Sequence, residues 1–448
     1  GSSASSRYTA GVPSSDPICA PATPLLPSAV AVVRVSGPDL ADRLRPLVAL
    51  PEPRRATLRT LAWAGFHERA LVLYFPAPAS YTGEDVVELQ VHGNPLLAQR
   101  LLEGLGTLGI RLAEPGEFTR RALLNGKQGL LEAEALRDLV SAETDTQIRL
   151  AQARAGALPA WIPEARAALA PWMARAEAAV DYGEEEGISI DSSEMKRALA
   201  PLRARFHVEQ RRARAAGHLR DGLRLALAGR PNAGKSTLFN ALVGEDRAIV
   251  TEIPGTTRDV LEVRCEWRGL PLRLYDTAGL RDTEDPVERL GVARVRPVLE
   301  AADLVLHLVP PGEAPPDPAL DRALAPFAGK VAVVRTMGDL SGSGPAEAVV
   351  VSALTGDLNA LEALLKDRIL GGLTPEACLG ALATGRQGAL LDDLARQVDL
   401  LLDLAADGPP ELPASLLQGA WGLLARLTGE DRAESALDQV FSGFCLGK

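Results

Sequence analysis

Residues 223–243 read LRLALAGRPNAGKSTLFNALV, an apolar run, a glycine-rich turn and a helix-forming run in that order. Within it Gly229 to Ser236 fits G-x-x-x-x-G-K-[ST] in full. The strand before the loop and the helix after it are the setting such a motif needs to hold phosphate. Glycines let backbone N–H groups turn inward around a β-phosphate, Lys235 brings a cation to the β and γ oxygens, and the helix N-terminus adds its dipole. Ser236 is then expected to ligate Mg2+, and Ala233, Gly234 and Thr237 to line the phosphates.

Outward from this loop the apolar runs RLALAG, LRLYD, DLVLHLV, KVAVVR and AVVVS alternate with helix-length segments, which predicts a mainly parallel sheet covered on both faces. Two polar stretches fall where a nucleotide switch needs them. Ile253 to Asp259 read IPGTTRD, a loop able to order around a γ-phosphate with Thr257 completing the magnesium shell. Asp276 to Gly279 read DTAG at the end of a strand, with Thr277, Ala278 and Gly279 beside the γ-phosphate and the Asp276 carboxylate toward the metal-bound water. The three elements together describe a GTP switch using GTP/GDP and Mg2+.

The rest of the chain sets this domain inside a larger one. With 448 residues, and about 100 to 200 residues per domain as the usual size, three domains are expected. The runs AVAVVRVSG, ALVLYFP and DVVELQVHG between Ala29 and Asn125 read as strands of an α/β domain. Residues 128–218 carry Ala, Leu, Glu and Arg at helical spacing, with one expected loop at Asp181 to Ser193, and the chain is again Leu/Ala-rich and helical after Gly372. The expected division is therefore an α/β domain at 1–125, a helical segment at 126–218, the inserted nucleotide domain at 219–372 and a second helical segment at 373–448. The opening GSSASSRYTAGVPSS reads as an expression scar or disordered lead.

Composition narrows the chemistry. A net charge of -10 does not attract nucleic acid as a whole, so any RNA contact must be local or made through a partner. The arginine-rich run Arg203 to Arg220 reads as a solvated helix face rather than an RNA surface. Four scattered cysteines form no CxxC pair, which argues against a disulfide framework or zinc knuckle and suits a reducing cytoplasm. No apolar run approaches the ~18 residues of a membrane span.

GRPNAGKS, GTTRD and DTAGLR in this order resemble the tRNA-modification GTPase family MnmE (TrmE), and YTGEDVVELQVHG, PGEFTRRALLNGK and the terminal FCLGK are similar to its other blocks. Leu280 stands where many small GTPases carry a catalytic Gln, and it cannot orient water. The resemblance implies K+ in the charge-stabilising role, held by the Asn232 side chain and the carbonyls of Thr251, Ile253 and Thr256, with Glu288 positioning the attacking water. Lys235 and Thr257 complete the expected catalytic set. It further implies 5-formyl-tetrahydrofolate near Arg34, Glu88, Lys127 and Lys448, possible chemistry at Cys445, a homodimer, and a flavin-dependent MnmG-like partner in a heterotetramer or larger complex. Together they would add a carboxymethylaminomethyl-type group at the 5-position of the tRNA wobble uridine. The alternatives are a GTP switch assisting ribosome or RNA assembly, and a folate-dependent transferase with a decayed nucleotide domain.

Two departures stand out. Where the family has Asn-Lys-x-Asp, this chain reads Thr336-Met337-Gly338-Asp339, which keeps the carboxylate for the guanine amino and imino hydrogens but loses a hydrogen bond and a stacking stem worth about 1 to 2 kcal/mol. Ser352-Ala353-Leu354 replaces Ser-Ala-(Lys/Arg) and is expected to present a backbone N–H to the base. At the N-terminus ATPLLPSAVAVVRVSG lacks the glycine-rich turn usual before that strand.

Overall fold

The computed structural model describes residues 16–156, 158–186, 191–244, 262–276, 296–312, 317–340, 349–404, 411–430, 440–441, 444 and 447. The chain divides into two compact units: one comprises residues 1–137 and 428–448, the other 138–427.

The first unit is built on strands β1 (Ile18–Pro21), β2 (Val30–Gly37), β3 (Thr57–Trp63), β4 (Phe66–Phe75), β5 (Asp85–His92) and β6 (Arg111–Leu112), in the order β3-β4-β5-β2-β1-β6. Alternation along β2 sends Val33 and Val35 into the core, where they meet Leu40 of the short helix α1 (Leu40–Arg43) and Leu101 and Leu105 of helix α2 (Pro95–Thr107). Asn94 caps that helix by accepting from the N–H groups of Leu96 and Leu97, worth about 1 kcal/mol. The opposite face of β2 carries Arg34, directly across from Glu88 in the antiparallel β2–β5 register. Helix α3 (Glu117–Leu124) buries Phe118 with Ile18, Ala20 and Ala113. Residues from the far end of the chain return here, since Val440, Phe441 and Phe444 pack with Leu123, Leu130 and Ala133.

The second unit combines helices with a six-stranded sheet. Helix α4 (Leu130–Val140) crosses the boundary between the units; α5 (Asp145–Ala155), α6 (Trp161–Glu186) and α7 (Ser192–Asp221) follow. Trp161 and Phe206 meet edge to face and fix α6 on α7. The arginines of α7 are largely consumed within the fold: Arg203 pairs with Asp399 at 2.8 Å, Arg205 and Arg212 both hold the buried Glu209, and Arg212 also donates to the carbonyls of Ala377 and Leu379. Helix Gly385–Asp403, opened by a Thr384–Gln387 capping box, packs along α7.

The sheet runs β12 (Val349–Val350), β11 (Val331–Arg335), β10 (Leu304–Val309), β7 (Leu223–Gly229), β9 (Leu270–Asp276), β8 (Glu262–Trp267), all parallel except β8. Leu219, Ala215 and Ala216 of α7 share its core with Leu225, Leu272 and Leu306, so helix and sheet are stitched together at Gly222, whose φ of 80° turns the chain from one to the other.

Two sequence expectations change. The five anticipated strands are present, but β8 adds a sixth, joined to β9 through Arg268 and Gly269, both with positive φ as a two-residue hairpin turn requires. The expected loop at Asp181 to Ser193 is shorter, because α6 continues to Glu186 on good helix-forming glutamates and Asp191 already caps α7 by accepting from Ser193 and Glu194.

Candidate functional site

β7 ends at the phosphate loop, and its neighbours β10 and β9 lead to opposite halves of the sheet, so the loop lies at the switch point where a crevice opens beyond the strand ends. Gly229 is required there: a Cβ would lie 2.7 Å from the carbonyl of Leu308. Asn232 and Gly234 take φ values of 61° and 83°, which wrap the loop before helix α8 (Lys235–Val243) begins. Ala233 is buried, whereas Asn232, Ser236 and Thr237 are exposed. Lys235 folds over the loop, its ammonium donating to the carbonyls of Gly229 at 2.9 Å and Arg230 at 2.7 Å.

Asp276 closes β9 in register with Leu227 of β7, which brings the end of that strand beside the phosphate loop. Thr251, Ile253, Thr256, Thr257, Thr277, Ala278, Gly279 and Glu288 lie outside the described residues, as do Cys445 and Lys448.

The residues expected to meet the base, Thr336 to Asp339 and Ser352 to Leu354, follow the ends of β11 and β12. Thr336, buried, donates its hydroxyl to the carbonyl of Ala233 at 2.9 Å and its N–H to Val309 at 3.1 Å. Gly338 donates to Val351, and a Cβ there would meet the Val350 side chain at 2.9 Å. Ser352 then donates to a carboxylate oxygen of Asp339 at 2.6 Å. Ala353 packs on the core and Leu354 is 80% exposed. The tie from Thr336 to the phosphate loop was not among the sequence expectations; a small hydroxyl residue ending the KVAVVR strand is its only trace in the sequence.

In the first unit a cavity of about 290 Å³ is lined by Arg34, Phe75, Tyr81, Val86, Glu88 and Leu136. Arg34 grips one Glu88 oxygen through two nitrogens at 3.0 and 3.1 Å and lies over the Tyr81 ring. Arg34 and Glu88 thus come together, while Lys127 donates to the carbonyl of Pro78 at 3.0 Å and is not part of this lining. Phe75 and Tyr81 were missed by sequence reading, although both lie within the quoted blocks VLYFP and YTGED. In the same unit Ser36, Thr82, Glu84, Arg121, Glu117 and Arg111 form a hydrogen-bonded network. Burial pushes the Glu117 carboxyl upward, but Arg111, the Glu114 N–H and Arg121 outweigh it and hold the group down to about 2.

Burial pushes the thiol of Cys19 up to about 12 and those of Cys265 and Cys378 up to about 11, which leaves them protonated and unreactive near neutrality. Among the described residues no group of three or more His, Cys, Asp or Glu is placed to hold a metal, and no helix is long and apolar enough to cross a membrane.

The family profile for the GTP-binding protein TrmE N-terminus matches residues 17–127, and that of the MnmE helical domain matches residues 130–445. This chain belongs to the MnmE family. The tRNA modification GTPases MnmE of Methylobacterium radiotolerans and Methylorubrum populi are 43% and 44% identical to it, over 97% and 96% of this chain and 99% and 98% of their own lengths. That of Acidiphilium cryptum is 42% identical over 97% of this chain and 99% of its own. Among solved structures, the G domain of the T. maritima FeoB iron transporter is 27% identical, covering 33% of this chain and 97% of its own with a TM-score of 0.25. The TrmE-type match of this MnmE family member falls within the first unit, while the helical match takes in residues 130–137 and 428–445 of that unit and the whole of the second, the phosphate-loop domain included.

Proposed function

We propose that this chain is a K+-activated GTPase which, with a flavin-dependent MnmG-like partner, adds a carboxymethylaminomethyl-type group at the 5-position of the tRNA wobble uridine. The observation that carries the reading is the phosphate loop Gly229–Thr237 at the switch point of a parallel sheet, in a chain that matches MnmE relatives over nearly its whole length.

The residues suit GTP chemistry in stages. Lys235 already has its ammonium over the loop and needs only exchange two carbonyl partners for the β and γ oxygens. The exposed Ser236 hydroxyl, in the first turn of α8, suits a hard cation that favours oxygen ligands, and Mg2+ there would neutralise charge developing on the phosphates. Asn232, exposed in a left-handed conformation at the loop's outer rim, fits one oxygen ligand of K+; Thr251, Ile253 and Thr256 would supply carbonyls. Thr257 would order the loop over the γ-phosphate and Glu288 would position water.

The cavity beside Arg34 and Glu88 supports a folate site. At about 290 Å³ it is near the lower end of the about 300 to 1,000 Å³ usual for small-molecule sites, which suits one heterocyclic head of 5-formyl-tetrahydrofolate. An aromatic wall from Phe75 and Tyr81 would stack it, while the charged pair would read its polar edge. A homodimer in the cytoplasm, acting on tRNA, completes the proposal.

The test is nucleotide turnover with GTP and ATP, each in potassium and in sodium, together with nucleoside analysis of tRNA from cells lacking the protein. Faster GTP turnover in potassium and loss of the modified wobble uridine are expected. An unchanged nucleoside profile would favour a GTP switch in RNA assembly instead.

A further inference from the structure

The end of β11 joins the phosphate loop to the base-reading residues through a short run of hydrogen bonds. Thr336 is only 5% exposed; its hydroxyl is given to Ala233 of the phosphate loop at 2.9 Å, and its N–H to Val309 at the end of β10. Gly234, the residue after Ala233, is seated against the same side chain: a Cβ at Gly234 would lie 3.4 to 3.6 Å from three Thr336 atoms. Two residues on, Gly338 binds Val351, and Ser352 then holds Asp339. Thr336 therefore occupies the junction between the part of the crevice that meets phosphate and the part that meets base.

Donor arithmetic fixes what Thr336 can do there. A hydroxyl has one proton, whereas a carboxamide has two N–H donors. Guanine presents N7 and O6 as acceptors on one edge. An amide at this position could hold the loop with one N–H and reach the base with the other; the single proton of Thr336 faces two backbone carbonyls, Ala233 at 2.9 Å and the more distant Val309 at 3.5 Å, and none is left for a base. The carbonyl it serves is buried, so withdrawing that donor would leave an unsatisfied acceptor under the phosphates.

We propose that Thr336 is a positioning residue that fixes the phosphate loop through Ala233 and gives no donor to the base, so that nucleotide affinity in this chain is carried by the phosphates and the base is selected through the Asp339 carboxylate. This rests on the reading of Gly229–Thr237 as the nucleotide's phosphate site.

The experiment displaces a fluorescent GDP from the full chain in Mg2+ with GDP and, separately, with pyrophosphate, which has no base. Thr336→Val should weaken GDP and pyrophosphate by the same factor, about tenfold, and Thr336→Ser should restore both. Thr336→Asn should leave pyrophosphate at the parent value and tighten GDP several-fold, raising the ratio between them. The rescue by serine separates loss of the hydroxyl from loss of the fold. The assignment is overturned if Thr336→Val weakens GDP while pyrophosphate is unchanged, if it changes neither, or if Thr336→Asn leaves the ratio where it was. Failure of the parent chain to bind the fluorescent GDP would instead remove the nucleotide reading, and this inference with it.

Discussion

Lys235 makes the phosphate loop sensitive to a single atom, because its ammonium sits against the carbonyls of Gly229 and Arg230. Lys235→Ala is expected to weaken GDP binding by about a hundredfold, the equivalent of losing charge-assisted hydrogen bonds of about 1.5 to 3 kcal/mol, with little change in melting temperature; a fluorescent-nucleotide titration measures it. Glu117 offers a test in pH. Its carboxyl is held well below the ordinary range, down to about 2, so the stability it adds is complete above the unfolded value near 4.5 and is lost as pH falls through about 2. Glu117→Gln should therefore cost about 2 kcal/mol at neutral pH, and the gap to the parent should close as unfolding is followed down from pH 5 to pH 2. The phosphate loop was legible from sequence because its function demands fixed residues at fixed spacing. Glu117 was not, since Arg121 is one helical turn away on α3 but Arg111 becomes its neighbour only through the turn at Gly116.

At the scale of elements, β8 shows why one strand of the sheet escaped the sequence. Val263, Cys265 and Trp267 face the core while Glu262, Arg264 and Glu266 alternate outward, a period-two pattern hidden by its charges and short length. Those charges have a structural use. Arg264 pairs with Glu143 at 2.6 Å and with Glu262 at 2.9 Å, Glu266 accepts from the Thr146 N–H, and the Thr146 hydroxyl donates to Gly269 at 2.9 Å. The start of α5 is thereby fastened to the β8–β9 hairpin, the element that links the IPGTTRD segment to Asp276. Arg264→Ala should lower the stability of this region by about 1 kcal/mol, as for a partly exposed pair, and quicken amide hydrogen exchange along β8 while leaving β10 unchanged. Unaltered exchange along β8 would show that the fastening does not hold the hairpin. The helices were easier to read than this strand because their Ala and Leu spacing runs unbroken over many turns, and only their ends, at Glu186 and Asp191, were misjudged.

For the whole molecule, a nucleotide domain between helical segments was legible from composition shifts, whereas the return of residues 428–448 to the first unit was implied only by the family resemblance, which sets Lys448 with Arg34 and Glu88. No local pattern announces that Phe441 and Phe444 will pack with Leu123 and Leu130, since such pairing is decided by topology. Phe441→Ala should cost about 3 to 5 kcal/mol in the first unit, seen as earlier thermal unfolding and faster proteolysis of residues 17–137, with nucleotide affinity retained. Loss of nucleotide binding with an unshifted melt would contradict that placement.

Because Gly447 lies so close to Pro21 that a Cβ on it would collide with the Pro21 carbonyl, the first-made and last-made parts of this unit must meet. During translation at about 5 to 20 residues per second, the early strands therefore wait on the order of tens of seconds, with the apolar seat around Leu123 and Leu130 uncovered, until the closing segment emerges. A nascent chain arrested before Val440, Phe441 and Phe444 emerge displays a greasy socket that a chaperone or protease can read directly.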